Sequence, residues 1–136
     1  RREPLGFEQA IDAEPQRLGN AHAQLADGTL ERSAAHQHFS YLARGRYAEQ
    51  QAGWFAEYPR EQFLVLKFED LARDPLGALN TTLGFLDLPP ATKVSLEARN
   101  TRKYPPMAEA TAARLREYFA PHIRQLESLL GRRMGW

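Results

Sequence analysis

Cysteine is absent from the chain, which excludes disulfides, thiolate nucleophiles and thiolate-held zinc. That absence is compatible with a reducing cytoplasm, the location expected on this reading. No apolar run approaches the ~20 residues that a membrane-spanning helix requires, so no membrane span is expected. Neither sign of charge dominates: 18 Lys and Arg against 17 Asp and Glu leave a formal net charge of +1. A broad electrostatic footprint for nucleic acid or anionic membrane is thereby excluded, and any anion recognition must be local. The opening stretch RREPLGFEQA has neither an initiator Met nor the apolar heart of a signal peptide, and it reads as the continuation of a chain.

What is present belongs to the ordinary soluble class, with 43% hydrophobic and 26% charged residues. Its 136 residues fit one domain, residues 1–136, able to bury roughly two thirds of the surface its unfolded form exposes. Leu5, Phe7, Ala10 and Ile11, with acidic residues between them, predict a short amphipathic helix over Phe7 to Ala13, ended by Pro15. Gly19 to His38 has no sustained period and reads as loop with one helical turn, Asp27-Gly28 being a turn signal. A helix is predicted from Arg46 to Glu57, bounded by Gly45, with Tyr47, Trp54 and Phe55 on one face and Tyr58-Pro59 as its stop.

Phe63-Leu64-Val65-Leu66 is a continuous apolar run and predicts a strand covered on both faces, as parallel strands are. Such a strand needs neighbours, and Val94 to Leu96 is only a weak candidate. The missing strands are therefore expected upstream of Arg1, in the N-terminal part of the same domain. Asp74-Pro75 supplies an N-cap and a first helical residue for a helix carrying Leu76, Leu79, Leu83 and Leu86, and Pro89-Pro90 ends the unit. Near the C-terminus, Ala112, Leu115, Tyr118 and Phe119 form one helical stripe and Ile123, Leu126, Leu129 and Leu130 another, with Pro121 between them. Gly131 fits a C-terminal cap followed by Arg132 and Arg133.

In order and content these residues resemble the C-terminal half of sulfotransferases that use 3'-phosphoadenosine 5'-phosphosulfate, particularly bacterial relatives of the heparan sulfate sulfotransferases. The resemblance rests on Gly45-Arg46-Tyr47, Trp54 before Tyr58-Pro59, Phe68-Glu69-Asp70-Leu71, Asp74-Pro75 and Phe85-Leu86 before Leu88. It continues through Arg102-Lys103-Tyr104-Pro105, Tyr118-Phe119 and the closing Gly131 to Trp136. It implies an α/β fold, the C-terminal portion of a P-loop nucleotide-kinase-like domain, mainly helical here with one buried parallel strand. It also implies sulfuryl transfer from 3'-phosphoadenosine 5'-phosphosulfate to a hydroxyl or amine on a small-molecule or carbohydrate acceptor. The family's phosphosulfate loop has no counterpart in this chain, since Leu5-Gly6-Phe7 lacks the cation and preceding strand of a phosphate cradle.

Asn100-Thr101-Arg102-Lys103-Tyr104 concentrates two cations, an amide and two hydroxyls, which suits a nucleotide phosphate. Arg102 offers paired hydrogen bonds, Lys103 a point charge, and Asn100 and Thr101 neutral donors. The competing reading is a solvated basic loop closed by Tyr104 and Pro105. The family loop is often Lys-Gly-Arg, so Arg102 matches while Asn100 and Thr101 depart from it. By resemblance, Arg44, Arg46 and Tyr47 face the acceptor cleft; the alternative puts Tyr47 in the core and both arginines in water. Glu69, Asp70 and Asp74 are assigned to turns and caps. His36 and His38, on one side of an extended segment, lack a third ligand, and no metal is expected. No residue is assigned as the catalytic base. Two readings of other classes stay open, a non-catalytic helical binding module and another nucleotide-dependent transferase.

Overall fold

The computed structural model describes residues 3–95 and 105–136. All regular secondary structure among the described residues is helical. The α-helices are α1 (Phe7–Leu18), α2 (Ala21–Ala26), α3 (Ala34–Phe39), α4 (Tyr47–Glu57), α5 (Phe68–Arg73), α6 (Pro75–Phe85) and α7 (Glu109–Leu130), with 3₁₀ turns at Ala43–Gly45 and Arg60–Gln62. Two compact units divide the chain, one of residues 1–51 and 107–132, the other of residues 52–106 and 133–136.

In the first unit, α1 buries Ala10, Ile11 and Glu14 along one face. Ala21 of α2, Ala48 of α4 and Leu126 of α7 complete the core of this unit. Two polar links join α7 to α1, Arg114 to Asp12 at 2.8 Å and Thr111 to Glu8 at 3.2 Å. Both prolines expected to break helices lie inside them, Pro15 in α1 and Pro121 in α7. A proline inside a helix removes one backbone hydrogen bond and crowds the preceding turn, at a cost of about 3 kcal/mol. Both helices nevertheless continue past their prolines, to Arg17, which pairs with Glu3, and to Leu126, which is 4% exposed. The stretch read as loop holds α2 and α3, and the Asp27-Gly28 turn is present, with the Asp27 carboxylate accepting the Thr29 N–H at 2.9 Å. Gly131 closes α7 in the left-handed conformation, φ 65°.

In the second unit the expected buried parallel strand is not formed. Phe63 and Lys67 have extended dihedrals, yet residues 63–67 belong to no strand and Leu66 is 44% exposed. The local backbone is right for a strand, but a strand is defined by a ladder, and no described segment pairs with it. The α/β and P-loop expectation is therefore corrected to a helical architecture among the described residues. Asp74 caps α6 as its sequence predicts, its carboxylate accepting the Gly77 N–H at 2.9 Å, with Pro75 opening the helix. Packing rests instead on an aromatic group: Phe55 and Phe63 have ring centroids 5.0 Å apart, and the Arg60 guanidinium lies 4.7 Å from the Phe55 ring. Val94 is in no strand, and Leu96 lies outside the described residues.

Candidate functional site

The expected nucleotide loop, Asn100, Thr101, Arg102, Lys103 and Tyr104, lies outside the described residues. The other expected segment, Arg44 to Tyr47, is described, and its surroundings form the most constructed part of the first unit.

Three successive backbone N–H groups enter this segment, and all three point at one carboxylate. Glu14 accepts from Tyr41 at 3.0 Å, Leu42 at 2.6 Å and Ala43 at 2.9 Å. The residue is 4% exposed. A buried carboxylate is tolerated only when its lone pairs are satisfied, and backbone donors do that while leaving no orphaned N–H behind. The 3₁₀ turn Ala43–Gly45 follows, and the Gln50 amide donates to the Arg44 carbonyl at 3.0 Å. The exposed guanidinium of Arg44 donates to the Gln37 carbonyl.

Arg46 neither sits free in water nor points into the core. Its Nε donates to the Tyr118 hydroxyl at 2.8 Å, and its Nη1 stands 3.8 Å from Glu49. Burial is the largest influence on this guanidinium and opposes its charge; the Tyr118 hydrogen bond and the pull of Tyr118 and Glu49 outweigh it, leaving the group above its ordinary value. Tyr47 opens α4 and is 49% exposed, so it is not the core residue of the competing reading. The Glu49 carboxylate is also 3.7 Å from His22 Nε2 and 3.9 Å from His122 Nδ1. His122 Nδ1 is buried without a hydrogen-bond partner among the described residues.

His36 and His38 lie on helix α3 rather than an extended segment, so a spacing of two no longer puts them on one side. His36 stacks on His22 with ring centroids 5.7 Å apart. No group of three His, Cys, Asp or Glu able to hold a metal occurs among the described residues. Glu69 and Asp70 occupy the first turn of α5, where negative charge is favourable.

A separate cavity of about 620 Å³ in the first unit is lined by Glu3, Arg17, His38, Phe39 and Tyr41 among others. Its polar wall is internally satisfied. Arg17 binds Glu3 at 2.7 Å and 3.2 Å, the Tyr41 hydroxyl donates to the same carboxylate, and the Arg17 guanidinium lies 4.5 Å from the Phe39 ring centroid. Arg17 first, then Tyr41 and the Leu5 N–H, hold the Glu3 carboxyl down at about 2.

Sequence reasoning missed Glu14, Glu49 and His122, and placed Tyr118 and Phe119 only as packing residues. One signal was available for Glu14: it stands three residues after Ile11 and four after Ala10, on the apolar face rather than beside it.

The sulfotransferase domain family model matches residues 16–126. The chain is 28% identical to the membrane-associated sulfotransferase kil1 of Dictyostelium discoideum, over 80% of this chain and 23% of that protein. It is 29% identical to the bifunctional heparan sulfate N-deacetylase/N-sulfotransferase of Drosophila melanogaster, over 65% of this chain and 11% of that protein. It thus spans less than a quarter of the length of either relative. No solved structure matches it. The expectation of a cytoplasmic protein is withdrawn, because the Dictyostelium relative is named as membrane-associated; no described helix is long and apolar enough to cross a membrane. The family match covers the Arg44–Tyr47 segment, the expected nucleotide loop and most of α7, and on that span the chain belongs to the sulfotransferase domain family.

Proposed function

We propose that this chain works in a sulfotransferase that uses 3'-phosphoadenosine 5'-phosphosulfate and a hydroxyl or amine acceptor on a small molecule or carbohydrate. The observation that carries the reading is the family match over residues 16–126. The donor set at Asn100 to Tyr104 fits a nucleotide phosphate by its chemistry. It combines a guanidinium for bidentate pairing, an ammonium for point charge, and an amide and hydroxyls as neutral donors. When bound, the donor would supply an activated sulfuryl group, its sulfur bonding to the acceptor oxygen or nitrogen as the bond to phosphate breaks, adenosine 3',5'-bisphosphate leaves and a base takes the acceptor proton.

In this reading Arg102 and Lys103 carry most of the nucleotide affinity, with Asn100, Thr101 and Tyr104 orienting the phosphate. Arg44, Arg46 and Tyr47 serve the acceptor. Orientation and charge stabilisation are the terms such side chains supply to group transfer.

Calorimetric titration of the whole chain with adenosine 3',5'-bisphosphate tests the assignment. Binding is expected, weakened at least about tenfold in Arg102→Ala, in line with the worth of a charge-assisted hydrogen bond. Equal affinity in the variant would remove the nucleotide role from this loop.

A further inference from the structure

The segment carrying Arg44 and Arg46 is not held by its own side chains alone. Its incoming backbone is set from another helix. Glu14, on α1, accepts the consecutive N–H groups of Tyr41, Leu42 and Ala43, the last of them adjacent to Arg44. Gly45 and Arg46 then turn back, their N–H groups bonding to Leu42 and Ala43 carbonyls at 2.9 and 3.2 Å. Two of the three residues gripped by the carboxylate, Leu42 and Ala43, therefore also supply the acceptors that shape the turn. Two guanidinium-bearing residues leave this turn on either side of Gly45.

We infer that Glu14 is a positioning residue for an oxyanion-binding Arg44–Arg46 turn: its buried carboxylate fixes the backbone from which both guanidinium groups reach an anionic group of the acceptor. The inference rests on the proposed acceptor role of Arg44 and Arg46 and adds to it both the chemical class recognised and the residue that presents the site. Three features support it. The Glu14 carboxylate spends its lone pairs on backbone rather than on a cation; the acid paired with Arg46 is Glu49, 3.8 Å from its Nη1, and an oxyanion must displace that part-exposed pair. Arg46 keeps an edge toward solvent, its side chain being 35% exposed, while Tyr118 fixes its Nε end. A guanidinium pairs with a sulfate or carboxylate as a rigid fork, so the direction of its backbone sets whether two bonds or one can form.

The test is an NMR titration of the whole chain with inorganic sulfate at constant ionic strength, read at the Arg44 and Arg46 Nε–H signals, beside calorimetry with adenosine 3',5'-bisphosphate. Saturable shifts at both arginines are expected in the wild type. In Glu14→Ala the sulfate affinity should fall at least about fivefold, because bidentate pairing depends on fork geometry. Glu14→Gln keeps one acceptor oxygen and should fall between the two, which keeps the test open if the alanine variant fails to fold. Leu126→Ala, a core substitution matched for loss of Tm, should stay within about twofold of wild type. Unchanged sulfate affinity in both Glu14 variants, an equal loss in Leu126→Ala, or no saturable shift in the wild type would each overturn the inference. Loss of bisphosphate binding with sulfate binding intact would sink the nucleotide assignment alone; the reverse would sink this one alone.

Discussion

A methyl group placed on Gly45 would stand 2.5 Å from Cε1 of the Phe119 ring. Helix α7 thus approaches the Arg44–Arg46 turn so closely that only a residue without a side chain fits between them. Gly45→Ala is expected to lower stability by about 1–3 kcal/mol, the usual range for overpacking. Phe119→Leu in the same chain should recover part of that loss. Denaturant unfolding of the two single variants and the double variant checks it; strict additivity would mean that the ring is not the obstacle.

Acid should weaken the Glu3–Arg17–Tyr41 cluster in a defined window. The Glu3 carboxyl is held at about 2, below the ordinary 4.5. A depressed folded value means that stability is fully present above about 4.5 and is lost as pH falls toward about 2, because the unfolded chain takes up the proton first. Unfolding of wild type and Glu3→Gln across that range should show the difference shrinking toward the acid end. Parallel curves would refute the linkage.

The Asn80 amide ties α6 to the segment that follows it. Its Nδ2 donates to the Ala91 carbonyl at 3.1 Å and its Oδ1 accepts the Ala91 N–H at 2.8 Å, just past Pro89-Pro90. Asn80→Ala should cost about 1–2 kcal/mol, and Asn80→Asp, which keeps the acceptor only, less than that. Hydrogen exchange at the Ala91 amide should accelerate in the alanine variant. Retained protection there would show that the side chain is dispensable.

The C-terminal residues are pinned by Lys67. Its ammonium donates to the Met134 carbonyl and lies 5.9 Å from the Trp136 ring centroid, while Met134 is 3% exposed. Lys67→Ala in a Trp54→Phe background is expected to red-shift Trp136 emission and to speed carboxypeptidase release of the tail. Lys67→Arg should preserve both, since either cation can sit against the indole. Identical release rates in all three would contradict the pin.

Three helix ends were read correctly from local signals. Asp74 caps α6, Gly131 takes the left-handed position after α7, and α4 ends before Tyr58-Pro59. In each case one residue's chemistry suffices, because the groups that satisfy it lie within a few positions of the chain. The prolines misled for the same reason in reverse. Pro15 and Pro121 carry a real local penalty, but the helices run on past them to Arg17, paired with Glu3, and to the buried Leu126, and a window of ten residues does not contain the folded surroundings of either.

The apolar run Phe63 to Leu66 marks the sharpest division. Its composition is that of a strand, and Phe63 at its start and Lys67 just after it are extended, yet pairing requires a second segment, and no described segment supplies one. Of the site, the sequence picked out Arg44, Arg46 and Tyr47 by family order, but it could not show what holds them. Glu14 lies 28 positions before Leu42, and Tyr118 lies 72 positions after Arg46.

By itself, then, the sequence determined the family, the end of α4, the N-cap of α6, the C-cap of α7, and the chemistry available at Asn100 to Tyr104. Only the tertiary structure decided that a buried acid in α1 grips the turn before Arg44, that Phe119 crowds position 45, and that Arg46 is held by Tyr118 and Glu49. Propensity and spacing act over a few residues, whereas burial and hydrogen-bond satisfaction are settled among side chains that only folding brings together.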